Sequence, residues 1–354
     1  MRAPGVPGRR VFLLLLVGVL GVSGCTVRRS HIPESTRQLL VSRTVRLIER
    51  PALSPAVWSS DGRQLAYSAA GGVWVAGLDG KEMRIAPGGV VTAISWSGPL
   101  NAIAVIDQGT VWTMGADGTN RRRLAIEGFA TELAWSPGGD RLALLVRDPS
   151  GGGQYALWLA SRDGGFVRRV RSAPGHAMRD LQWFPDGLYV FYGLSSPSDA
   201  VITEAWRVRV AYPDAHTIPL IGPARFVRLS PSGRSVAYLA GTEVLDDRGE
   251  LVVTRLDGTG RVNLAPADRY GGVAWAPQSD KVVYARMESE ADAQIWVADA
   301  DGSGRLRVLD YALEFSDPSI ALSLAWSPDG RHLAFGTNTG SFTGPVWVAT
   351  LARR

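Results

Sequence analysis

The sequence predicts an all-β, seven-bladed propeller, and three observations carry that expectation: a recurring W-S-P-D-G-x-x-L-A-F string, its near-constant spacing, and a composition rich in turn residues. The strings begin at Trp58 (WSSDGRQLAY), Trp96 (WSGPLNAIAV, eroded), Trp135 (WSPGGDRLAL), Trp183 (WFPDGLYVFY), Leu229 (LSPSGRSVAY), Trp275 (WAPQSDKVVY) and Trp326 (WSPDGRHLAF). Successive starts lie 38, 39, 48, 46, 46 and 51 residues apart, close to the length of one four-stranded propeller blade. The 354 residues include 41 glycines and 21 prolines, too many for a helical bundle, while a hydrophobic share of 45% is too high for a disordered chain.

The chain opens on a targeting segment, residues 1–24. Arg2, Arg9 and Arg10 precede an apolar run, Val11 to Val22, that is too short to span a bilayer core of ~30 Å as a helix. The run ends in Val22-Ser23-Gly24-Cys25, which resembles the bacterial lipobox. Small residues there admit a signal peptidase, and Cys25, the one cysteine of the chain, is the expected site of lipidation by acyl chains such as palmitate. Arg9-Arg10 ahead of the run also fits twin-arginine export. The expected location is therefore the extracytoplasmic face of a cell membrane. Residues 25–42 follow as a polar tether, whose seventeen residues from Thr26 to Ser42 reach at most ~60 Å at ~3.5 Å each.

The propeller is expected over residues 43–354. In each copy one strand ends at the tryptophan and a Ser-Pro-Asp-Gly type turn leads into an apolar second strand. A third strand follows with period-two alternation, as in Val73-Trp74-Val75 or Ile295-Trp296-Val297, then an Asp-Gly turn and a short arginine-rich fourth strand such as Arg122-Arg123-Leu124. The seventh copy stops after its third strand. A strand at about residues 43–49 supplies the missing one, because Leu47 precedes Trp58 by the same eleven residues that separate Ile85 from Trp96 and Leu124 from Trp135. It is expected to pair outside Val346 to Thr350 and close the ring. All twelve tryptophans fall on two repeat positions, which points to packing between blades and away from a ligand cage; the fifth copy alone lacks both, with Leu229 and Val253 in their place.

These repeats resemble those of the TolB-like, or WD-like (PD40), propellers, and the resemblance covers Val45 to Leu351. Lipobox and propeller together resemble the propeller part of the LpqB lipoprotein family. Both families carry additional domains ahead of the propeller, whereas only a tether precedes it here. The resemblance implies a fold and leaves activity open.

Catalytic signals are sparse. The sequence lacks a G-x-S-x-G elbow, and its four histidines, His31, His176, His216 and His332, are dispersed. No metal or cofactor is expected. The segment from Asp299 to Asp310 fits much of an EF-hand calcium loop, but the same Asp-Gly turn recurs in other copies, and the residues after it read as a strand. Without residues 1–24 the formal net charge falls from +5 to near +2, so the basic balance is partly that of the leader and no nucleic-acid partner is implied.

Insertions between second and third strands make one face the candidate docking surface. There the fifth and sixth copies are acidic, with Glu243, Asp246, Asp247 and Glu250, then Glu288, Glu290 and Asp292, and the following crossover adds Tyr311 and Phe315. The expected function is that of a monomeric, non-enzymatic envelope lipoprotein whose propeller receives a protein partner on this sector. The alternative is a small-molecule-binding or lyase-like propeller with a site at the mouth of the central channel, which polar side chains converging from several blades would favour.

Overall fold

The computed structural model describes residues 39–148, 154–198, 201–211, 215–220, 222–241, 248–289, 292–312, 321–338 and 344–353. Residues Glu34–Arg354 form one compact unit. The leader, Cys25 and the tether up to residue 38 lie outside the described residues, as do Glu243, Asp246, Asp247, Glu290 and Phe315. The described elements are all strands, and among them no helix is long and apolar enough to cross a membrane.

Each repeat folds into antiparallel strands that pair in sequence order. The first comprises Val57–Trp58, Gln64–Ala69, Gly72–Gly77 and Glu82–Pro87; the second Val91–Ser97, Ala102–Asp107, Thr110–Gly115 and Arg122–Arg123; the third Phe129–Trp135, Arg141–Arg147, Tyr155–Ser161 and Val167–Ala173. The fourth has Ala177–Trp183, Tyr189–Ser195, Ile202–Arg209 and Ala215–Ile218, and the fifth begins Ala224–Leu229, Ser235–Ala240 and Arg248–Arg255. One long strand, Val262–Trp275, then serves two repeats: its first half pairs with Arg248–Arg255 and its second half with Lys281–Met287. Asp292–Asp299 and Arg305–Ala312 complete the sixth repeat. The shared strand and a single pairing of Ile202 with Ala224 merge these three repeats into one continuous sheet.

Gly271 and Gly272 stand at the turn-over point of the shared strand, where the next repeat comes close. A Cβ on Gly272 would lie 2.1 Å from the carbonyl oxygen of Leu322, so only glycine admits the approach.

The last sheet orders Ala321–Trp326, His332–Asn338, Val346–Arg353 and, outermost, Leu39–Ile48. The N-terminal strand therefore takes the expected edge, with Arg46 opposite Trp347 and Val45 opposite Val348. It begins four residues earlier than expected, so Leu39 to Ser42 belong to the sheet and not to the tether. Leu39 and Val41 account for the extension, since both pack against the apolar cluster built from Val297, Leu333 and Phe335.

The turn chemistry follows the repeat. Ser59, Ser136, Ser230 and Ser327 each accept, through Oγ, the amide five residues on, at 3.0, 3.1, 3.1 and 2.8 Å. In the Asp-Gly turns the aspartate accepts the amide two residues ahead: Lys81 to Asp79, Thr119 to Asp117, Thr259 to Asp257 and Ser303 to Asp301. The segment resembling a calcium loop thus bonds like its counterparts; hydrogen bonds from the Thr259 and Ser303 hydroxyls, followed by these amides, hold the Asp257 and Asp301 carboxyls below their ordinary pKa, and the amides of Lys81 and Thr119 come first for Asp79 and Asp117.

The core lies between sheets. Val73, Val75, Ile94, Ile103 and Met114 join the first repeat to the second, and comparable clusters join each following pair. Leu47, Ile48, Val346 and Val348 pack on Trp58, Leu65 and Tyr67, joining the last sheet to the first. First-strand indoles add a directional bond. Trp183 Nε1 donates to Ala134 O at 3.0 Å and Trp275 Nε1 to Arg228 O at 2.9 Å, each reaching the preceding repeat. Trp58 Nε1 makes the equivalent 2.9 Å bond to Ala325 O, in the last repeat. The indoles thus serve packing between sheets; in the fifth repeat Leu229 is buried at the first-strand position, and the register with Tyr238 puts Val252, not the expected Val253, at the third-strand one.

Replacing Trp58 with Phe should cost about 1 kcal/mol of unfolding free energy by removing one buried hydrogen bond. Trp96→Phe, whose indole bonds only Asn101 in its own turn, should cost less. Urea titrations of both variants measure the difference; equal losses would mean the bond between first and last sheets contributes nothing.

Candidate ligand site in the axial channel

First strands of consecutive repeats lie side by side, so residues near their tryptophans line a common channel. The position three before the tryptophan is Pro55, Ala93, Phe226, Gly272 or Ser323 in five copies, but Glu132 and Asp180 in the third and fourth. The position just before it is Gln182 in the fourth copy and Arg228 in the fifth. These four polar side chains, from three adjacent repeats, meet.

Glu132 reaches across to the fourth repeat, where its two carboxylate oxygens accept the amides of Asp180 at 3.2 Å and Leu181 at 2.8 Å. Asp180 repeats the move one sheet further on. Its Oδ2 accepts the Val227 amide at 3.0 Å, and its Oδ1 accepts Arg228 Nη1 at 2.8 Å. Gln182 clamps the same pair of strands, donating Nε2 to Val227 O at 3.0 Å and accepting the Leu229 amide at 2.8 Å. Bulges free these amides from the ladders: pairing skips between Arg179 and Gln182 and between Arg225 and Arg228. Asp180 at φ 56° and Phe226 at φ 52° adopt left-handed backbone there, uncommon for aspartate and an outlier for the bulky phenylalanine.

Charge is finely set in this cluster. Burial, followed by the neighbouring Asp180 charge, pushes the Glu132 carboxyl up to about 7, against the opposing pull of its two backbone amides. Burial works against the Arg228 guanidinium, but Asp180 and Glu132 beside it outweigh that and raise its pKa. Two cavities meet at Leu181, Gln182 and Arg228. One, about 370 Å³, is bounded by Pro55, Thr92, Ile94, Glu132 and Asp180. The other, about 610 Å³, is walled by Trp135, Trp183 and Trp275, with Leu229 in the gap where the fifth copy lacks its tryptophan.

Of the acidic loop sector, three carboxylates lie in described segments. Glu250 pairs with Arg261 at 2.6 Å, Glu288 pairs with Arg286 at 3.2 Å, and Asp292 is exposed, accepting Ser289 Oγ at 3.2 Å. Tyr311 sits in strand Arg305–Ala312, opposite Ala293. The axial cluster was absent from the sequence expectation. Its signal was there: two acidic residues at an inner-strand position that the other copies fill with small, apolar or hydroxyl side chains. Among the described residues, no three His, Cys, Asp or Glu side chains stand together as a metal cage.

An all-β fold of repeated, mostly four-stranded antiparallel units whose first strands line a shared channel defines the class: this is a β-propeller. Known structures place it more closely. An oligogalacturonate lyase in complex with manganese superposes with a TM-score of 0.71 at 11% identity, over 88% of this chain and 95% of that one. The oligogalacturonate lyase of Vibrio parahaemolyticus gives 0.66 at 10%, over 88% and 95%. TolB from Acinetobacter baumannii gives 0.52 at 14%, over 76% of this chain and 65% of that one. No family model and no curated protein sequence matches the chain. The likeness to these structures is one of fold, the β-propeller.

The raised Glu132 carboxyl makes a signed prediction. The folded chain holds a proton that the unfolded chain releases between the ordinary glutamate pKa and about 7, so this residue's contribution to stability falls as pH rises through that window. Thermal melts of the wild type should drop between pH 5 and pH 8 by more than those of Glu132→Gln. Parallel profiles would show that Glu132 titrates normally.

Proposed function

We propose that the chain is a seven-bladed, TolB-like propeller, anchored to the extracytoplasmic face of a cell membrane through lipidated Cys25, that binds a small polar ligand in its axial channel without transforming it. The convergence of Glu132, Asp180, Gln182 and Arg228 from three adjacent repeats onto two joined cavities carries the binding reading. Seven copies of the repeat, and apolar clusters joining each sheet to the next and the last to the first, support the blade count. The leader and lipobox support the anchor, and the propeller, residues 43–354 with the closing strand extended to Leu39, is what such an anchor would hold.

The non-enzymatic reading follows from how the polar groups are used. Both carboxylates spend their oxygens on backbone amides and a guanidinium, which suits a fixed recognition surface. Arg228 Nε and Nη2 have no bonding partner among the described residues and are the donors available to a ligand. The lyase resemblance is to low-identity neighbours and carries the fold alone. A second reading, a protein partner on the loop sector around Glu243 to Asp292, is favoured by the exposed Asp292 carboxylate at its edge.

A thermal-shift panel of metabolite-sized carboxylic acids, polyols and amines tests the channel. A ligand that stabilises the wild type should lose at least roughly tenfold in affinity in Arg228→Gln, the weight of one charge-assisted hydrogen bond, and bind Asp292→Lys unchanged. Sensitivity to Asp292→Lys with indifference to Arg228→Gln would move function to the loop face. Cys25→Ser should shift the protein from the membrane to the soluble fraction; retention in the membrane would contradict the anchor.

A further inference from the structure

The outer edge of the propeller carries a basic arc. On each outermost strand one residue is in register with the third-strand tryptophan: Arg307 opposite Trp296, Arg46 opposite Trp347, Arg84 opposite Trp74, Arg123 opposite Trp112 and Arg169 opposite Trp158. All five arginines are exposed. They occupy one repeat position, and hence one height on the rim, across five consecutive sheets from the sixth repeat through the last to the third. The arc stops in the fourth and fifth repeats, where Thr217 faces Trp206 and Asn263 faces Val252.

Two structural roles do not account for the arc. Charged residues on edge strands discourage strand addition, but Ala215–Ile218 forms the fourth repeat's outer edge without an arginine. Stacking on the tryptophans falls to other residues: Arg50 lies 4.1 Å over Trp74, Arg121 4.2 Å over Trp112 and Arg305 6.0 Å over Trp296. Arg84 and Arg123 are exposed and make no hydrogen bond or ion pair among the described residues; Arg169 makes none either but borders a cavity that Glu127 and Asp148 also line, and Arg307 pairs with Asp310 at 3.5 Å.

We propose that this arc binds an anionic phospholipid surface. Guanidinium groups form charge-assisted bonds to phosphate, and the arc offers several at one level. Its position also fits. Strand Leu39–Ile48, which bears Arg46, is where the propeller continues from the preceding residues, which hold the apolar run Val11 to Val22 and Cys25. The membrane-directed part of the chain thus joins the propeller on the arc. A lipid anchor gains durability from a basic patch beside it, each arginine near an anionic leaflet being worth about 1 kcal/mol. The inference rests on the membrane location proposed above, but its test does not use the anchor.

Residues 34–354 hold every described strand in one compact unit and lack Cys25. Their sedimentation with phosphatidylglycerol-rich vesicles should exceed that with phosphatidylcholine vesicles and weaken with salt. Arg84→Gln, in the sheet next to the entry strand, should lower the partition coefficient roughly fivefold, and Arg123→Gln and Arg169→Gln, in the next two sheets round, should lower it by progressively less. Arg234→Gln, an exposed arginine in the turn of the fifth repeat, should leave it unchanged. Equal binding to both vesicle types, or losses in Arg234→Gln matching those of the arc variants, would overturn the proposal. Circular dichroism of each variant separates a lost contact from a lost fold.

Discussion

The structure depends on one pairing, the N-terminal strand Leu39–Ile48 against Val346–Arg353. Without it the last sheet would have three strands and expose the edge of Val346–Arg353. With it, Leu47 and Ile48 are delivered into the cluster that packs the last sheet against the first, where Trp58 completes the bond to Ala325. The two ends of the chain are therefore held in one sheet. Everything at the centre follows, because the cavities of the channel exist only while the first strands of successive repeats face one another.

The channel shows how a repeat can be turned to a specific purpose. Most first strands use small or apolar residues where they approach each other. At the third, fourth and fifth repeats the contacts become polar and directional: a carboxylate on one strand takes the bulged amides of the next, twice in succession. Phe226 ends the series, since it occupies the carboxylate's position in the fifth copy. Arg228 compensates the two acids at that end, while Leu229, smaller than the indole it replaces, leaves room at the wider cavity. Polarity, strain and space thus gather on one side of the axis. The proton held near neutrality by Glu132 belongs to the same arrangement.

Most of the fold was legible in the sequence because its signals are periodic and local. Ser-Pro-Asp-Gly and Asp-Gly turns, alternating third strands and the eleven-residue step into each tryptophan survive in nearly every copy. The early start of the closing strand was missed because Leu39 to Ser42 read as polar tether alone, and only their neighbours across the sheet make Leu39 and Val41 core residues. The axial cluster was missed for a different reason. Glu132, the pair Asp180 and Gln182, and Arg228 are separated by about one repeat at each step, and only the bulges at Asp180 and Phe226 aim their amides and side chains at one another. Attention to charge at a packed repeat position would have found the carboxylates but not their bonds. The loop acids drew notice as a dense run in sequence, yet Glu250 and Glu288 each have an arginine partner.

The pairing of the chain's ends is open to direct measurement by amide hydrogen exchange. The strand Leu39–Ile48 amides that bond Val346–Arg353 should be protected, and they should exchange together with those of Val346–Arg353 and Gln64–Ala69, at the free energy of global unfolding. Fast exchange along Leu39–Ile48 while the remaining sheets stay protected would contradict closure by the N-terminal strand.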